Sequence, residues 1–302
     1  MDIRQLQYLV ALAREKHFTR AAEACRVTQP TLSGRLRQLE QELGVPIVER
    51  GQRFHGFTRE GERVLAWAQK ILADCESLSD ELSGLKGAAG GRVALGVIPS
   101  ALPVTPPLTR LVRQALPEVS FTVLSQSSRD ILRNLEEFTI DLGLTYLDNE
   151  PVAQCATRPL YRERYRMFVR RGHPLWDRDT VGWAEAAAHP LGLLTPKMQN
   201  RRIVDAAFRS AGARPTPEIE SDTSINLCAY VLETGLSTVL PEFYLGLMGA
   251  GDAVRAIPLV EPEVAPTVGL VALDRDPLPR LVSAVLDVAD RYRLPETLTR
   301  GL

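Results

Sequence analysis

The chain has 302 residues, of which 45% are hydrophobic and 24% are charged, and its formal net charge is −1. This composition is typical of a globular protein with enough apolar material for one large domain, or for a small domain followed by a larger one. It excludes a polyelectrolyte that binds its partners through bulk charge. No apolar stretch is as long as a membrane span and no charged-then-apolar leader opens the sequence, so we expect a cytoplasmic protein without membrane contact.

The first 44 residues contain three short helical patterns joined by tight turns. Thr19 is expected to cap the second helix and Thr28 the third. Pro30 falls in the first turn of the third helix, where proline loses no hydrogen bond, and Gly44 ends that helix. This arrangement indicates a helix-turn-helix. The next segment reads VERGQRFHGFT, with glycines on both sides of Arg53, and it predicts a β-hairpin wing.

The outer face of the third helix is small and polar. Its inner face carries Leu32, Leu36, Leu39 and Leu43 at helical spacing, which indicates burial. No acidic residue occurs between positions 24 and 39, although basic residues do. Such a face is either merely solvated or shaped to meet a partner, and the charges alone do not decide between the two.

One long helical pattern runs from Thr58, its expected cap, to Leu85. Apolar residues recur in it at alternating spacings of four and three, which predicts a heptad seam for a partner helix. At 1.5 Å per residue, such a helix is about 40 Å long. The alternative is an amphipathic helix that lies on the core of its own chain. The seam residues are Val64, Ala68, Ile71, Cys75, Leu78, Leu82 and Leu85.

From residue 93 onward, apolar runs of five or six residues alternate with helical patterns. Runs of this kind predict a parallel sheet and therefore an α/β domain. About 200 residues of this pattern are enough for two lobes with a cleft between them. The preceding segment, GLKGAAGGR, follows a helix and precedes a strand, which is the wrong order for a phosphate loop. We interpret it as a hinge.

Hydroxyl and basic side chains follow several of the predicted strands. In open α/β sheets, ligands collect at the carboxyl ends of strands, where helix N-termini present free N–H groups. Hydroxyls together with positive charge at such places favour a small anion. The alternative is that each serine or threonine only caps its helix. The candidate ligand residues are Ser100, Ser127, Ser128, Arg129, Thr195, Asn200, Arg202, Thr223 and Ser224.

The chain resembles a known family along its whole length. The first part of the likeness is LQYLVALAREKHFTRAAEACRVTQPTLSGRLRQLEQELGVPIVERGQR, which is similar to the winged helix-turn-helix of LysR-type transcriptional regulators. The segments GHPL, RRIVDAAFRSAG and SDTSINLCAYVLETGLSTVLPE match the effector-binding domain of that family. The last of these segments most resembles regulators of the cyanate-operon type.

The resemblance implies an α/β protein with an N-terminal winged helix-turn-helix, a long linker helix and a two-lobed effector domain like that of periplasmic binding proteins. It places the DNA-binding domain at 1–58, the dimerisation helix and hinge at 59–92, and the effector domain at 93–302. Lobe I then covers about 93–160 and 267–302, and lobe II about 161–266. It also implies an activator that assembles as a homotetramer of two dimers, binds double-stranded promoter DNA, responds to a small molecule and has RNA polymerase as a partner.

The resemblance places the third helix in a DNA major groove. Gln29 is then suited to adenine, and Arg35 or Arg37 to guanine or phosphate. Ser33 and Thr19 suit phosphate contacts. Arg50 either contacts DNA or ties the wing to the domain, and Arg53 is the better minor-groove candidate. The DNA-contact candidates are Thr19, Thr28, Gln29, Pro30, Thr31, Ser33, Arg35, Arg37, Arg50 and Arg53.

The sequence does not favour an enzyme. It contains no G-x-S-x-G, H-E-x-x-H or Walker motif, and we expect no cofactor, metal or catalytic site. A small-molecule-binding protein of solute-binding fold, without promoter control, would fit the α/β part alone, and an architectural DNA-binding protein would fit the N-terminal part alone. The four cysteines are far apart and without metal-type spacing, so we expect reduced, mostly buried thiols, with a redox switch as the alternative.

Overall fold

A computed structural model describes residues 1–49, 54–85, 90–148, 151–249 and 251–293, with the backbone alone for residues 76, 80, 81, 83–85 and 251. The chain divides into two compact units, Met1–Gly87 and Ala88–Leu302. Among the described residues, no helix combines the length and the apolar character that crossing a membrane requires.

The first unit is helical, and the three short helices and the long one that the sequence predicts are all present. Its core is formed mainly by leucines of the first three helices, including Leu9, Leu12, Leu32 and Leu39, all of which are completely buried. The helices are α1 (Ile3–Glu15), α2 (Phe18–Ala24), α3 (Gln29–Leu43) and α4 (Arg59–Leu85).

Two of the three predicted caps are confirmed. Thr28 Oγ1 accepts the N–H of Thr31 at 3.4 Å, and Thr58 Oγ1 accepts the N–H of Gly61 at 2.9 Å. The prediction for Thr19 is wrong, because α2 begins at Phe18 and Thr19 lies inside its first turn. The cap is His17, whose Nδ1 accepts the N–H of Thr19 at 3.2 Å. An imidazole nitrogen can serve as the acceptor that serine or threonine usually provides at this position.

The segment after α3 is fixed by a carboxylate and by a close backbone approach. Glu40 Oε1 accepts the N–H groups of Ile47 and Val48 at 2.7 and 3.0 Å. A Cβ at Gly61 would lie 2.0 Å from the carbonyl oxygen of Ile47, so only glycine fits there. An antiparallel bridge joins Val48 to Phe57. The predicted hairpin tip, with Arg50 and Arg53, lies outside the described residues and stays a prediction.

The sequence left open whether the seam of α4 pairs with a partner helix or packs on its own chain, and the two halves of the seam differ in this respect. Its N-terminal part packs on the core of its own chain: Ala68 is completely buried, and Val64 and Ile71 are partly buried against the same cluster. Further along, Leu78 and Leu82 are 58% and 53% exposed, and Cys75 is exposed. Only the second half of the seam therefore presents apolar side chains that a partner helix could cover.

The second unit contains two sheets with helices packed on them. Its strands are β1 (Gly91–Val97), β2 (Val119–Ser125), β3 (Leu142–Tyr146), β4 (Cys155–Arg162), β5 (Tyr165–Arg170), β6 (Val181–Gly182), β7 (Leu191–Leu194), β8 (Ile219–Ser221), β9 (Ser237–Pro241), β10 (Val254–Val260) and β11 (Thr267–Leu273). Its helices are α5 (Thr105–Ala115), α6 (Ser128–Glu136), α7 (Trp183–Ala186), α8 (Gln199–Ser210), α9 (Ser224–Thr234), α10 (Tyr244–Met248) and α11 (Arg280–Ala289).

Each sheet forms one lobe. The first lobe has the strand order β2-β1-β3-β11-β4, and the second lobe has the order β6-β10-β5-β9-β7-β8. Helices α5, α6 and α11 pack on the first sheet, whereas α7, α8, α9 and α10 pack on the second. The chain enters the second lobe between β4 and β5 and returns between β10 and β11, so that two short connections join the lobes.

The expectation of a parallel sheet is correct for only some of the strand pairs. Strand β1 is parallel to β2 and β3, but β11 is antiparallel to both β3 and β4. In the second lobe, β5 is antiparallel to β9 and β10. A run of apolar residues reports that a strand is buried on both faces, but it does not report the direction of its neighbours. The sheets are mixed, and the α/β class itself is correct.

Candidate nucleic-acid interface and ligand cavity

The outer face of α3 carries most of the predicted DNA-contact residues. Gln29, Pro30, Thr31, Arg35 and Arg37 are exposed, Ser33 is half-buried, and Thr28 is exposed at the cap. We call these seven residues the α3 face. The face is preorganised by its own side chains, since Gln29 Nε2 donates to Ser33 Oγ at 2.9 Å and the hydroxyls of Thr28 and Thr31 lie 2.8 Å apart.

The two arginines of the α3 face differ in their surroundings. Arg35 donates to Gln38 Oε1 at 3.3 Å and lies 3.8 Å from a carboxylate oxygen of Asp2. Arg37 is exposed and forms no ion pair within the part of the chain that the structure describes. At the centre of the face Gly34 has no side chain, and a Cβ added there would meet no atom within 4 Å. The helix backbone is therefore directly accessible at this point. Arg37 is therefore the cation of this face that is available to an external anion.

A small cavity lies between the two lobes of the second unit, and helices begin at it. The helices α6 and α8 and a 3₁₀ turn at Pro99–Val104 all start beside it. Its volume of about 10 Å³ is roughly that of one water molecule, so the lobes are nearly closed on each other. The lining residues are Ile98, Pro99, Ser100, Ser127, Ser128, Tyr146, Leu194, Met198, Gln199 and Asn200.

Several polar groups beside the cavity can donate hydrogen bonds. Helices present unpaired N–H groups and partial positive charge at their N-termini. Ser128, the first residue of α6, is buried, and its Oγ has no hydrogen-bond partner among the described residues. Asn200 Nδ2 donates to the hydroxyls of Tyr146 and Tyr165 at 3.4 and 3.3 Å. A buried hydroxyl without a partner at two converging helix N-termini is an arrangement that a small anion would satisfy.

A buried carboxyl group lies behind this cavity, and the sequence analysis did not identify it. Glu163 is 1% exposed, and it follows β4 at the connection between the lobes. Its Oε1 accepts from the hydroxyls of Tyr146 at 2.6 Å and Tyr165 at 3.0 Å, and its Oε2 accepts from Tyr161 at 3.5 Å. We call these four residues the Glu163 cluster. Tyr146 also lies 3.0 Å from Ser100 Oγ, which connects the cluster to the cavity.

Burial sets the protonation of the Glu163 cluster. It raises the pKa of Glu163 from 4.5 to about 7, against the lowering effect of the hydrogen bonds from Tyr146 and Tyr165. Burial also raises the pKa of Tyr146, Tyr161 and Tyr165 well above the usual tyrosine value, and the Glu163 charge adds to each shift. The three phenols are therefore neutral at physiological pH, whereas Glu163 exchanges its proton there.

The structure separates the predicted ligand residues into groups. Ser100, Ser127, Ser128 and Asn200 line the cavity. Arg129 and Arg202 line an adjoining open groove of about 830 Å³, and Gln199 belongs to both the cavity and the groove. Thr223 lines a different groove of about 490 Å³, together with Ser127 and Lys197.

Two predicted ligand residues, Thr195 and Ser224, lie outside the cavity. The N–H of Thr195 donates to the carbonyl of Ser221 at 2.8 Å, which joins β7 to β8. Ser224 is buried at the start of α9, where its side chain interacts with Tyr244. Neither of them belongs to the lining of the cavity.

The alternative that these residues only cap helices holds for one of them. Ser127 Oγ accepts the N–H of Asp130 at 3.2 Å and donates to the carboxylate of the same residue at 2.7 Å. Thr223 occupies the capping position of α9 but makes no capping bond with its side chain. Ser100 begins no α-helix, since it lies in the 3₁₀ turn. Capping therefore accounts for Ser127 and leaves Ser100, Ser128 and Thr223 open to a ligand.

The cysteines do not form part of the cavity lining. Burial raises the pKa of Cys228 to about 12 and also raises the pKa of Cys25. The pKa of Cys155 is raised by burial and further by the nearby charges of Glu136 and Asp274. Because the thiolate is the reactive form of cysteine, these three side chains are poorly suited to fast oxidation.

Two family models match the chain. Residues 3–62 match the family described as a bacterial regulatory helix-turn-helix protein of the lysR family, and residues 86–293 match the LysR substrate binding domain. The chain is 31% identical over 280 residues to the DNA-binding transcriptional dual regulator OxyR of Escherichia coli, covering 92% of this chain and 91% of that protein. It is 29% identical to a hydrogen peroxide-inducible genes activator of Haemophilus influenzae, with 95% and 97% covered. Both relatives are regulators of the OxyR type, so the cyanate-operon likeness stays a prediction.

Solved structures share the fold of the full chain. A full-length OxyR variant from Pseudomonas aeruginosa superposes with a TM-score of 0.78 at 24% identity, covering 100% of this chain and 99% of that one. CbnR in complex with its target DNA superposes with a TM-score of 0.67 at 19% identity, covering 96% and 99%. The predicted architecture is confirmed: an N-terminal helix-turn-helix followed by a two-lobed domain of mixed α/β structure.

Proposed function

Because the chain belongs to the LysR family of DNA-binding transcriptional regulators with an effector-binding domain, we propose that its α3 face reads promoter DNA and that its inter-lobe cavity takes a small anion. The observation that carries the DNA part is an acid-free, exposed helix face in the segment that matches the lysR helix-turn-helix. The observation that carries the effector part is the buried, unpartnered Ser128 hydroxyl beside two helix N-termini.

The α3 face offers the groups that major-groove recognition uses. The carboxamide of Gln29 can bond both N6 and N7 of adenine, and Arg37 can bond guanine or phosphate. Because Gly34 has no side chain, the helix backbone can approach the groove closely at this position. Thr19, exposed at the start of α2, is suited to a phosphate through its hydroxyl. Thr28, Pro30, Thr31, Ser33 and Arg35 complete the proposed contact surface.

Gln29→Ala should relax base preference at one position of the operator, at a cost of about 1–3 kcal/mol on the preferred sequence only. Thr19→Ala should weaken binding similarly on every duplex, because phosphate contacts carry no sequence information. Gel-shift titrations on the upstream region of the gene and on a shuffled duplex separate the two effects. Arg209→Ala, an exposed arginine in α8, is the control that should change neither. Equal losses on both duplexes for Gln29→Ala would contradict a base contact.

The effector proposal follows from the donors that meet at the cavity. Two α-helix N-termini and the Ser128 hydroxyl converge there, and they favour negative charge in a space that excludes bulk water. The closed volume holds about one water molecule, so an anion of the size of acetate binds an arrangement in which the lobes are further apart. The shared lining residue Gln199 connects the cavity to the groove of Arg129 and Arg202. Such a ligand can shift DNA binding only by binding one arrangement of the lobes more tightly than another.

Acetate should raise the melting temperature of the protein more than acetamide, which has the same shape without the charge. Sulfate, nitrate and cyanate extend the series to other small anions. Ser128→Ala should reduce the affinity for acetate about tenfold, since it removes a hydrogen bond to a charged group. Ser210→Ala, at the exposed end of α8, is the matched control. The anion proposal is wrong if acetamide stabilises the protein as much as acetate, or if only neutral apolar compounds do.

We further propose the division of the chain that the resemblance implies: a DNA-binding domain at 1–58, a dimerisation helix and hinge at 59–92, and an effector domain at 93–302. In this proposal the exposed half of the α4 seam pairs two chains, and two dimers form the tetramer. RNA polymerase is the proposed further partner. Promoter binding at spaced half-sites then follows from the two recognition helices of each dimer.

A further inference from the structure

We propose that Glu163 couples anion binding in the cavity to the uptake of one proton, so that the anion-bound state of the cleft is the state in which Glu163 is neutral. This inference rests on the proposed function, since it concerns the effector cavity. In this proposal Glu163 does not contact the ligand. Its protonation decides whether the cleft already carries a negative charge when the ligand binds.

The hydrogen bonds between Glu163 and the cavity have a direction, and protonation reverses it. When Glu163 is ionised, the single hydroxyl proton of Tyr146 must point at Glu163 Oε1, 2.6 Å away. The Tyr146 oxygen then accepts from Ser100 Oγ, 3.0 Å away. The hydroxyl proton of Ser100 is therefore directed away from the cavity, and its lone pairs face any ligand there.

Protonation of Glu163 changes what Ser100 offers. A proton taken up from solvent on Oε1 can be donated to the Tyr146 oxygen, which frees the Tyr146 hydroxyl to donate to Ser100 Oγ. The Ser100 hydroxyl is then free to donate into the cavity. Asn200 supplies N–H donors to Tyr146 and Tyr165 in both states, since an amide nitrogen cannot reverse its role. Uptake of one proton at Glu163 thus changes the Ser100 hydroxyl from a hydrogen-bond acceptor to a hydrogen-bond donor toward the cavity.

Electrostatic repulsion acts in the same direction. Ser100 and Glu163 both contact the hydroxyl of Tyr146, and Ser100 also lies close enough to lower the pKa of Glu163. An anion at Ser100 would therefore lie near the Glu163 carboxylate, in a region shielded from water. Like charges at such a distance disfavour simultaneous ionisation. Among the described residues no lysine or arginine forms an ion pair with Glu163, so no cation offsets this repulsion. Burial has already raised the pKa of Glu163 to about 7, which places the exchange in the physiological range.

The groups around Glu163 leave it as the proton acceptor of the cluster. Tyr146 faces it from β3, Tyr161 from β4 and Tyr165 from β5. Asn200 faces the cluster from α8, Ser100 from the 3₁₀ turn and Tyr244 from α10. The Glu163 N–H donates to the carbonyl of Pro266, the residue before β11, at 2.8 Å. The tyrosines stay neutral below pH 9, because burial raises the pKa of each.

The linkage fixes the sign and size of the effect. If binding requires neutral Glu163 and its pKa is about 7, the dissociation constant for an anion is constant well below pH 7 and increases above it. Between pH 6 and pH 8 the increase is about tenfold, and the limiting slope is tenfold per pH unit. The charge of sulfate and of acetate does not change over this interval, so that the slope reports on the protein.

The test is calorimetric titration of the full chain with sulfate and with acetate at pH 6 and pH 8, in cationic buffers of different ionisation enthalpy. We expect weaker binding at pH 8 by about tenfold, with uptake of close to one proton per anion at that pH. Glu163→Gln keeps the shape and the neutral state, and it should bind both anions equally at the two pH values. Glu233→Gln, an exposed glutamate near the end of α9, should behave like the wild type.

The proton count of the wild type needs no variant, so the proposal remains testable if Glu163→Gln does not fold. Equal anion affinity at both pH values without proton uptake would overturn the coupling and leave the anion site in place. A pH slope in Glu163→Gln like that of the wild type would also overturn it. Failure of both anions to bind at either pH would instead remove the proposed anion site, and the coupling with it.

Discussion

Leu78→Asp is expected to separate the two chains that pair through α4, while each chain remains folded. Leu78 is 58% exposed in the single chain, so an aspartate there costs little within one chain. In a paired α4 seam the same carboxylate would be buried without a partner in each of two helices, at a cost of several kcal/mol per dimer. Because a chain without its α4 partner presents one recognition helix instead of a pair, affinity for the promoter should fall sharply as well.

Mass measured by light scattering, together with circular dichroism, tests this expectation. Ala66→Asp is the matched control, since Ala66 is exposed on the same helix but lies off the seam, and it should leave the mass unchanged. Ala68→Asp is the opposite case: Ala68 is completely buried in the core of the first unit, so that variant should unfold the unit itself. A mass for Leu78→Asp equal to that of the wild type would show that the exposed half of the seam does not pair chains.

The stability of the protein should decrease as the pH rises from about 5 to 8, and Glu163 should contribute about 2.5 kcal/mol to this decrease. Burial raises the pKa of Glu163 to about 7, above its ordinary value of 4.5. The folded state therefore keeps a proton that the unfolded chain loses in this window. Its contribution is fully present below pH 4.5, and it is lost as the pH rises to 7.

Urea denaturation of the wild type and of Glu163→Gln, at one-unit steps from pH 5 to pH 8, measures this contribution. The difference between the two proteins isolates Glu163 from the other titrating groups, and it should change by about 2.5 kcal/mol across the range. Glu233→Gln, which alters an exposed carboxyl, should follow the wild type at every pH. Parallel curves for the wild type and Glu163→Gln would mean that Glu163 is ionised in the folded protein at pH 5.

The parts of the fold that depend on local sequence were predictable. The cap at Thr28, the burial of Leu32, Leu36 and Leu39 and the full extent of α4 follow from residues a few positions apart. Burial of Leu43 was predicted too, but that side chain, at the last residue of α3, is 38% exposed. The cap of α2 was missed because the imidazole of His17 takes a role that hydroxyls usually have. Which part of the α4 seam packs on its own chain could not be predicted, since heptad spacing places the side chains on one face without saying which partner covers them.

The ligand cavity could be predicted only in part, because its residues come from distant parts of the chain. Serines after strands indicated one end of it, and Ser100 and Ser128 do lie there. The arginines expected beside them line an adjoining groove, since the sequence does not fix how the two lobes meet. Glu163 was missed, although the alternation of Tyr161, Glu163 and Tyr165 in the segment YRERY was a signal. Residues two apart on an extended chain point to the same side.

The central claim is that promoter binding by this chain responds to a small anion in its cavity, and footprinting on the upstream region of the gene tests it most directly. The protein should protect two half-sites about one helical turn apart or a multiple of it. Acetate, but not acetamide, should change the protection or the protein concentration that produces it, and Ser128→Ala should need about tenfold more acetate for the same change while still protecting the site. Protection that is identical with and without every anion in the series, or equal on unrelated DNA, would contradict the account.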